Sequence, residues 1–280
     1  MKPMEEPRRI TLKSGTALAL CKIKNPFNAP VYHALSVTST MVISRELSSI
    51  GEPHGTVIAS DFQMEGRGRI QGRKWQTEDK MSLPFTILLR YPKIQNDQAQ
   101  DAQGIPRALT LKAGLAAAHA IEDFSVSLNG IVKIKWPNDI MINNKKIAGI
   151  LCESDGMNVF LGIGINIRQK NFPPHLSDKA SSIALASGIE ITEDDRFLLL
   201  EKILARLYSE LNDSDNPWKP RLEQRLYKQG QTVTFTEGRA DSGKTIKGIL
   251  RGIGDEGELL IACGGSQEIR AFVTGELNVT

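Results

Sequence analysis

From Gly66 the chain reads Gly66-Arg67-Gly68-Arg69-Ile70-Gln71-Gly72-Arg73-Lys74-Trp75, and a stretch so composed cannot lie inside a core. Glycine gives up more backbone entropy on ordering than other residues, and Arg67, Arg69, Arg73 and Lys74 repel one another until an anion neutralises them. The stretch is expected to be a loop, mobile when empty and ordered by a phosphate-bearing ligand. A solvated basic turn or a nucleic-acid patch satisfies the composition equally well, so the flanks must decide.

Upstream, residues 56–62 carry Val57, Ile58 and Ala59 and read as a strand that feeds Gln63 and then the loop. Residues 31–37 form an earlier buried strand, and Thr38-Ser39-Thr40 supply N-cap hydroxyls to a helix ending near Ser49. Capping alone explains Ser39 and Thr40, yet a strand end meeting a helix start is also where ligand groups are held. Downstream come a strand at 83–90 and a helix opening at Pro106 and running to about Phe124, its small residues 114–118 suited to close packing. Strands at 131–136 and 140–142 are separated by Pro137-Asn138-Asp139; proline cannot donate to a ladder, so Asn138 and Asp139 are displayed at an irregularity. Further strands follow at 146–153 and 158–167, the second with Gly162 and Gly164 alternating among apolar residues, a pattern that suggests close approach by a ligand or backbone.

After a loop from Phe172 through Ser182, helices are expected at 193–211 and 218–227. From Gln229 onward short strands at 232–235, 245–250, 258–262 and 268–273 alternate with glycine turns, as in a small barrel. Three domains are read: an N-terminal extension at 1–30, punctuated by Pro3, Pro26 and Pro30 with one short strand at 17–23; a main domain at 31–228; and a C-terminal module at 229–280. The 280 residues suffice for one full-sized domain and a small second one.

Composition narrows the function. Cys21, Cys152 and Cys263 have no metal or disulfide spacing, and four scattered histidines give no support to a metal site or a catalytic triad. The formal net charge of +3 is too mild to imply nucleic-acid binding by itself. With no long apolar run and no signal-peptide pattern, the chain is expected to be cytoplasmic, without membrane contact. The polar residues displayed on loops are Ser39, Thr40, Gln63, Arg67, Arg69, Lys74, Asn138, Asp139 and Lys146, mostly cations and amides. Such a set lacks the paired carboxylates of a glycosidase and suits a reaction that brings a carboxylate to a nucleotide triphosphate, which needs charge neutralisation more than proton transfer. Neither a Walker loop nor a dinucleotide fingerprint occurs.

Gly66-Arg67-Gly68-Arg69 with Gly72-Arg73-Lys74-Trp75, then Lys135-Trp136-Pro137-Asn138-Asp139, then Lys146-Ile147-Ala148-Gly149-Ile150, resemble in order and spacing the motifs of the biotin protein ligases. Weaker similarity runs from about Val31 to the C-terminus, where Gly248 through Leu277 looks like that family's SH3-like domain. The resemblance implies an α+β fold: a mixed sheet with helices, like class II aminoacyl-tRNA synthetases, followed by a small SH3-like β-barrel. It implies ATP-dependent activation of biotin as biotinyl-5′-AMP and transfer to a lysine of an apo biotin carboxyl carrier domain, as of acetyl-CoA carboxylase, with Mg²⁺.

Ser39, Thr40 and Gln63 would hold the biotin rings, while Gly66, Arg67, Gly68 and Arg69 would cover biotin and adenylate. Lys146 would approach the biotin carboxylate and the α-phosphate, with Arg69 and Asp139 beside it in catalysis, and Gly149 would give biotin backbone contacts. Arg67, Arg69, Lys74, Trp75, Asn138 and Asn166 would serve the nucleotide, and Asp139 the magnesium. Where many members read Asp-Ser-Thr-Asn this chain has Thr38-Ser39-Thr40-Met41, which alters hydrogen bonding at the helix start. The short proline-rich lead is not a winged helix-turn-helix, so no operator binding is expected; a homodimer is compatible with the sequence. A lipoate or octanoate ligase is the rival enzyme reading. A nucleic-acid module would need aromatics among the cations, where Trp75 stands alone.

Overall fold

The computed structural model describes residues 9–70, 72–73, 75, 78–91, 105–106, 108–213, 215–238, 243–264 and 268–278. β1 (Arg9–Thr11), β2 (Ala17–Leu20) and β3 (Val31–Val37) lead into α1 (Thr40–Ser49), β4 (Val57–Gln63) and β5 (Ser82–Arg90). After α2 (Leu109–Phe124) and a 3-10 turn at Val126–Leu128 come β6 (Lys133–Lys135), β7 (Asp139–Ile142), β8 (Lys145–Ser154) and β9 (Asn158–Asn166). These nine strands form one mixed sheet in the order β1-β2-β3-β4-β5-β9-β8-β7-β6, parallel only between β3 and β4. The first strands are therefore not a detached lead-in: β1 and β2 extend the sheet beyond β3, with Leu18 fully buried under α1. A single short strand was expected there because the apolar run before Pro26 is brief and β1 gains its partner only by pairing.

Helices cover both faces. Leu83, Phe85 and Ile87 of β5 and Leu161, Ile163 and Ile165 of β9 share the main core with α2 and with α4 (Asp195–Asn212), which follows the short α3 (Ile183–Ser187). On the opposite face Met41 of α1 meets Leu88 and Phe160. Alternation along each strand thus sends odd residues of β5 and β9 to the core and even ones to the α1 face, where the site lies.

The helix expected at 218–227 stops at α5 (Trp218–Glu223); the chain then turns, and Leu226 bridges to Ile134 of β6, with Ile134 N–H donating to Arg225 O at 2.8 Å. Hydrogen bonding to the sheet edge wins over helical continuation there. A second sheet follows, built from β10 (Thr232–Glu237), β11 (Lys244–Ile253), β12 (Leu259–Cys263), β13 (Glu268–Phe272) and β14 (Gly275–Leu277) in the antiparallel order β13-β12-β11-β10-β14. Its last strand escaped the sequence reading because three residues carry too little periodicity. Phe235, Leu250, Leu259 and Leu277 of this sheet join the same buried core as α2. Among the described residues no helix is long and apolar enough to cross a membrane.

Candidate active site

Ser39, extended at φ −158°, caps α1, and its hydroxyl accepts from Met41 N–H at 3.3 Å. Thr40 begins the helix and points its polar atoms at the end of β4. Its backbone N–H and its hydroxyl both donate to Gln63 Oε1, at 2.8 and 3.1 Å. Thr86, fully buried on β5, donates its own hydroxyl to Thr40 Oγ1 at 2.9 Å. Because an amide oxygen only accepts, the relay runs one way, from Thr86 through Thr40 to Gln63, and holds the Gln63 amide in one orientation.

Thr86 stands opposite Gly162 on β9, and Gly149 of β8 stands opposite Gly164. The paired glycines leave a flat patch on which the Trp75 indole lies. A Cβ at Gly164 would sit 2.6 Å from Trp75 Cε2, and one at Gly149 would sit 3.4 Å from Cζ3. The slot bounded by Ser39, Thr40, Gln63, Arg67, Gly68 and this floor has room of about 60 Å³ with the indole in place. The buried Trp75 Nε1 has no hydrogen-bond partner among the described residues.

Trp75, Asn138 and Lys146 line both this slot and a larger cavity of about 810 Å³. Lys146 stands at the junction: its ammonium is 2.6 Å from Asp139 Oδ1, a charge contact off the hydrogen-bonding line, and 5.7 Å from the Trp75 ring centre. Asn138 is a brace as well as a lining residue, since its Nδ2 donates to Ile150 O at 2.8 Å while Ile150 N–H donates to Asn138 O. Asn166, at the end of β9, donates to Ser181 O at 3.0 Å and accepts from Gln169, so it pins the segment that walls the cavity. The irregularity expected at Pro137 is the turn between β6 and β7, in which the Trp136–Pro137 peptide is cis.

Two cations missing from the sequence-derived site belong to the larger cavity. Lys135, at the end of β6, is buried, and burial pushes its ammonium down from the usual lysine range, opposed by Asp139 and Glu276. Arg73 reaches Glu276 of β14 through two hydrogen bonds of 2.7 and 3.1 Å, and Arg69 Nη2 donates to Gly275 O at 2.9 Å. Burial would raise the Glu276 carboxyl, yet the hydrogen bond and charge of Arg73, with Lys135 and Arg69 nearby, hold it below the ordinary range. Lys135 lay within a motif already singled out and could have been found there. Thr86 offered only the weak signal of one hydroxyl in an apolar strand, and Glu276 offered none.

The sequence-derived residues Ser39, Thr40, Gln63, Arg67, Gly68, Arg69, Trp75, Asn138, Lys146 and Gly149 line the slot; Gly66, Asp139 and Asn166 line the larger cavity. Lys74 lies outside the described residues. Arranged so, a small pocket with hydroxyl and amide groups at one end opens past Lys146 into a roomy cavity that Arg69, Arg73 and Lys135 also line. It can hold a compact ring system and bring its tail to a polyanion.

Comparison with known proteins gives the same picture. Residues 32–169 match the biotin/lipoate A/B protein ligase family. The chain is 35% identical over 241 residues to the bifunctional ligase/repressor BirA of Bacillus subtilis, covering 82% of this chain and 68% of that protein. It is 29% identical over 215 residues to the biotin–[acetyl-CoA-carboxylase] ligase of Mycobacterium tuberculosis, 75% of this chain and 74% of that one. Among solved structures, the biotin protein ligase from Aquifex aeolicus in complex with biotin and ATP superposes with a TM-score of 0.71 at 26% identity, over 89% of this chain and 97% of that one. The chain belongs to the biotin/lipoate A/B protein ligase family.

Proposed function

We propose that the protein is an ATP-dependent biotin ligase that makes biotinyl-5′-AMP and transfers the biotinyl group to a lysine of an apo biotin carboxyl carrier domain. The observation that carries the reading is the slot itself: a hydroxyl and amide end, a paired-glycine floor, and Lys146 at the exit to the cationic cavity. The Mycobacterium tuberculosis and Aquifex aeolicus proteins named above are biotin ligases, which sets the lipoate and octanoate reading aside.

In this reading Ser39, Thr40 and Gln63 meet the ureido ring, and the fused ring system lies on Gly149 and Gly164, so the indole of Trp75 shifts to cover it. The valerate tail then ends beside Lys146. A carboxylate oxygen attacks the α-phosphorus of ATP, pyrophosphate leaves, and Lys146 with Arg67 and Arg69 neutralises the charge gathering between the two anions. In the second half-reaction the neutral amine of the carrier lysine attacks the acyl carbon, AMP leaves, and a proton is released as the amide forms. Asp139 is foremost the residue that aims Lys146, from 2.6 Å.

Among the described residues no three His, Cys, Asp or Glu side chains gather as a metal site. That donor set still fits Mg²⁺ carried in by nucleotide, because the ion needs only one or two carboxylates besides phosphates and waters. Asp139 would be its protein ligand, and the ion would neutralise the triphosphate. Residues 31–228 act here as the catalytic domain and 229–280 as an SH3-like module. Residues 9–11 and 17–20 are strands of the large sheet. Incubation of the protein with biotin, MgATP and an apo carrier domain should add one biotinyl group by mass. A carrier modified by lipoate or octanoate but never by biotin would overturn the reading.

A further inference from the structure

Glu276 is an acid on the wall of the larger cavity, which Arg69, Arg73, Lys135 and Lys146 also line. It grips Arg73 in bidentate fashion, and the carbonyl beside it, on Gly275, accepts from Arg69, so two of the three arginines of the glycine-arginine loop end on one short strand of the second sheet. The strand is a firm anchor. Leu277 is fully buried, β14 is paired to β10, and Gly275 has φ +147° with the Phe235 ring packed where a side chain would go. The turn between β11 and β12 also holds a cavity residue, where Trp136 Nε1 donates to Gly257 O at 2.9 Å.

We propose that Glu276 is a positioning residue for the adenylation site: with the Gly275 carbonyl it holds Arg73 and Arg69 over the larger cavity, so the C-terminal sheet sets how firmly the loop covers a bound acyl-adenylate. The role rests on the ligase reading and extends it to the second sheet. The Arg73 side chain is 58% exposed, and an ion pair so exposed contributes little to folding; what it fixes is position. Nucleotide phosphates compete with Glu276 for the same guanidinium groups. The carboxylate therefore keeps the cations together before nucleotide arrives and can yield them afterwards.

The test uses the full chain carrying Glu276→Gln, Glu276→Ala, or the exchange Arg73→Glu with Glu276→Arg. Two rates are read: tryptic cleavage after Arg67 and Arg69 without ligand, and release of biotinyl-adenylate preformed from biotin and MgATP. Glu276→Ala should speed both by roughly two- to fivefold with an unchanged melting temperature, Glu276→Gln should do so partly, and the exchange should restore the wild-type cleavage rate. Added salt should speed cleavage of the wild type and leave Glu276→Ala unaffected. Unchanged rates in Glu276→Ala, or no restoration of the cleavage rate by the exchange, would overturn the proposal. A wild-type protein that forms no adenylate would instead sink the ligase reading, and the cleavage arm would still judge the grip of Glu276 on the loop.

Discussion

The slot and the larger cavity meet at Lys146 but are built by opposite means. Slot groups sit on regular elements, the start of α1, the end of β4 and the paired strands β5, β9 and β8, and their hydrogen bonds are already made: Thr86 to Thr40 to Gln63. The cavity is assembled from loop and strand-end residues distant in sequence, and its cations are held by acids, Arg73 by Glu276 and Lys146 by Asp139. A neutral ring needs fixed donors and a shaped floor, because a polar group with one orientation discriminates while a mobile one does not. A polyanion needs charge that can be redistributed as it enters and leaves. Recognition is thus preformed on one side of Lys146 and exchangeable on the other.

Lys146→Ala removes the cation paired with Asp139 where the two regions meet and should have the largest effect, slowing single-turnover adenylation by roughly 100- to 1,000-fold while the fold survives. Unchanged adenylation would detach the lysine from the chemistry and break the two-region scheme at its joint. Gly164→Val strikes the slot alone. A branched side chain where Trp75 already lies within 2.6 Å of a Cβ should raise the biotin KM more than tenfold and leave the KM for ATP near that of the wild type. Parallel changes in both constants would show that the regions are not separable. Thr86→Val keeps volume and deletes the start of the relay, so the loss should be that of one buried hydrogen bond, about 1 kcal/mol or roughly fivefold in biotin KM, recovered by Thr86→Ser. A variant with normal biotin KM would leave Thr86 as packing only.

Much of this was readable from the chain. The strands around the loop, the Ser39 cap and the turn at Asn138 follow from periodicity, capping and proline chemistry, which act over a few residues. The three motifs located the loop, the Asn138 turn and Lys146 before any geometry was known. Even the paired glycines left a trace, as alternation in β9.

Other features depend on partners that only folding supplies. β1 became a strand by pairing with β2, and the helix begun at Trp218 stopped because Leu226 could bridge to Ile134 instead. Thr86 acquired meaning through Thr40, which is 46 positions away, and Glu276 through Arg73, 203 positions away. By itself the sequence determined most of the strands and helices and which glycine-rich loop carries the cations, because those preferences are local to a few neighbouring residues. The tertiary structure alone decided that the indole of Trp75 lies on two glycines facing one another, that Thr86 orients Gln63, and that the last strand holds the loop. Hydrogen bonds and ion pairs act through space, and no local pattern encodes which distant residue will arrive to make them.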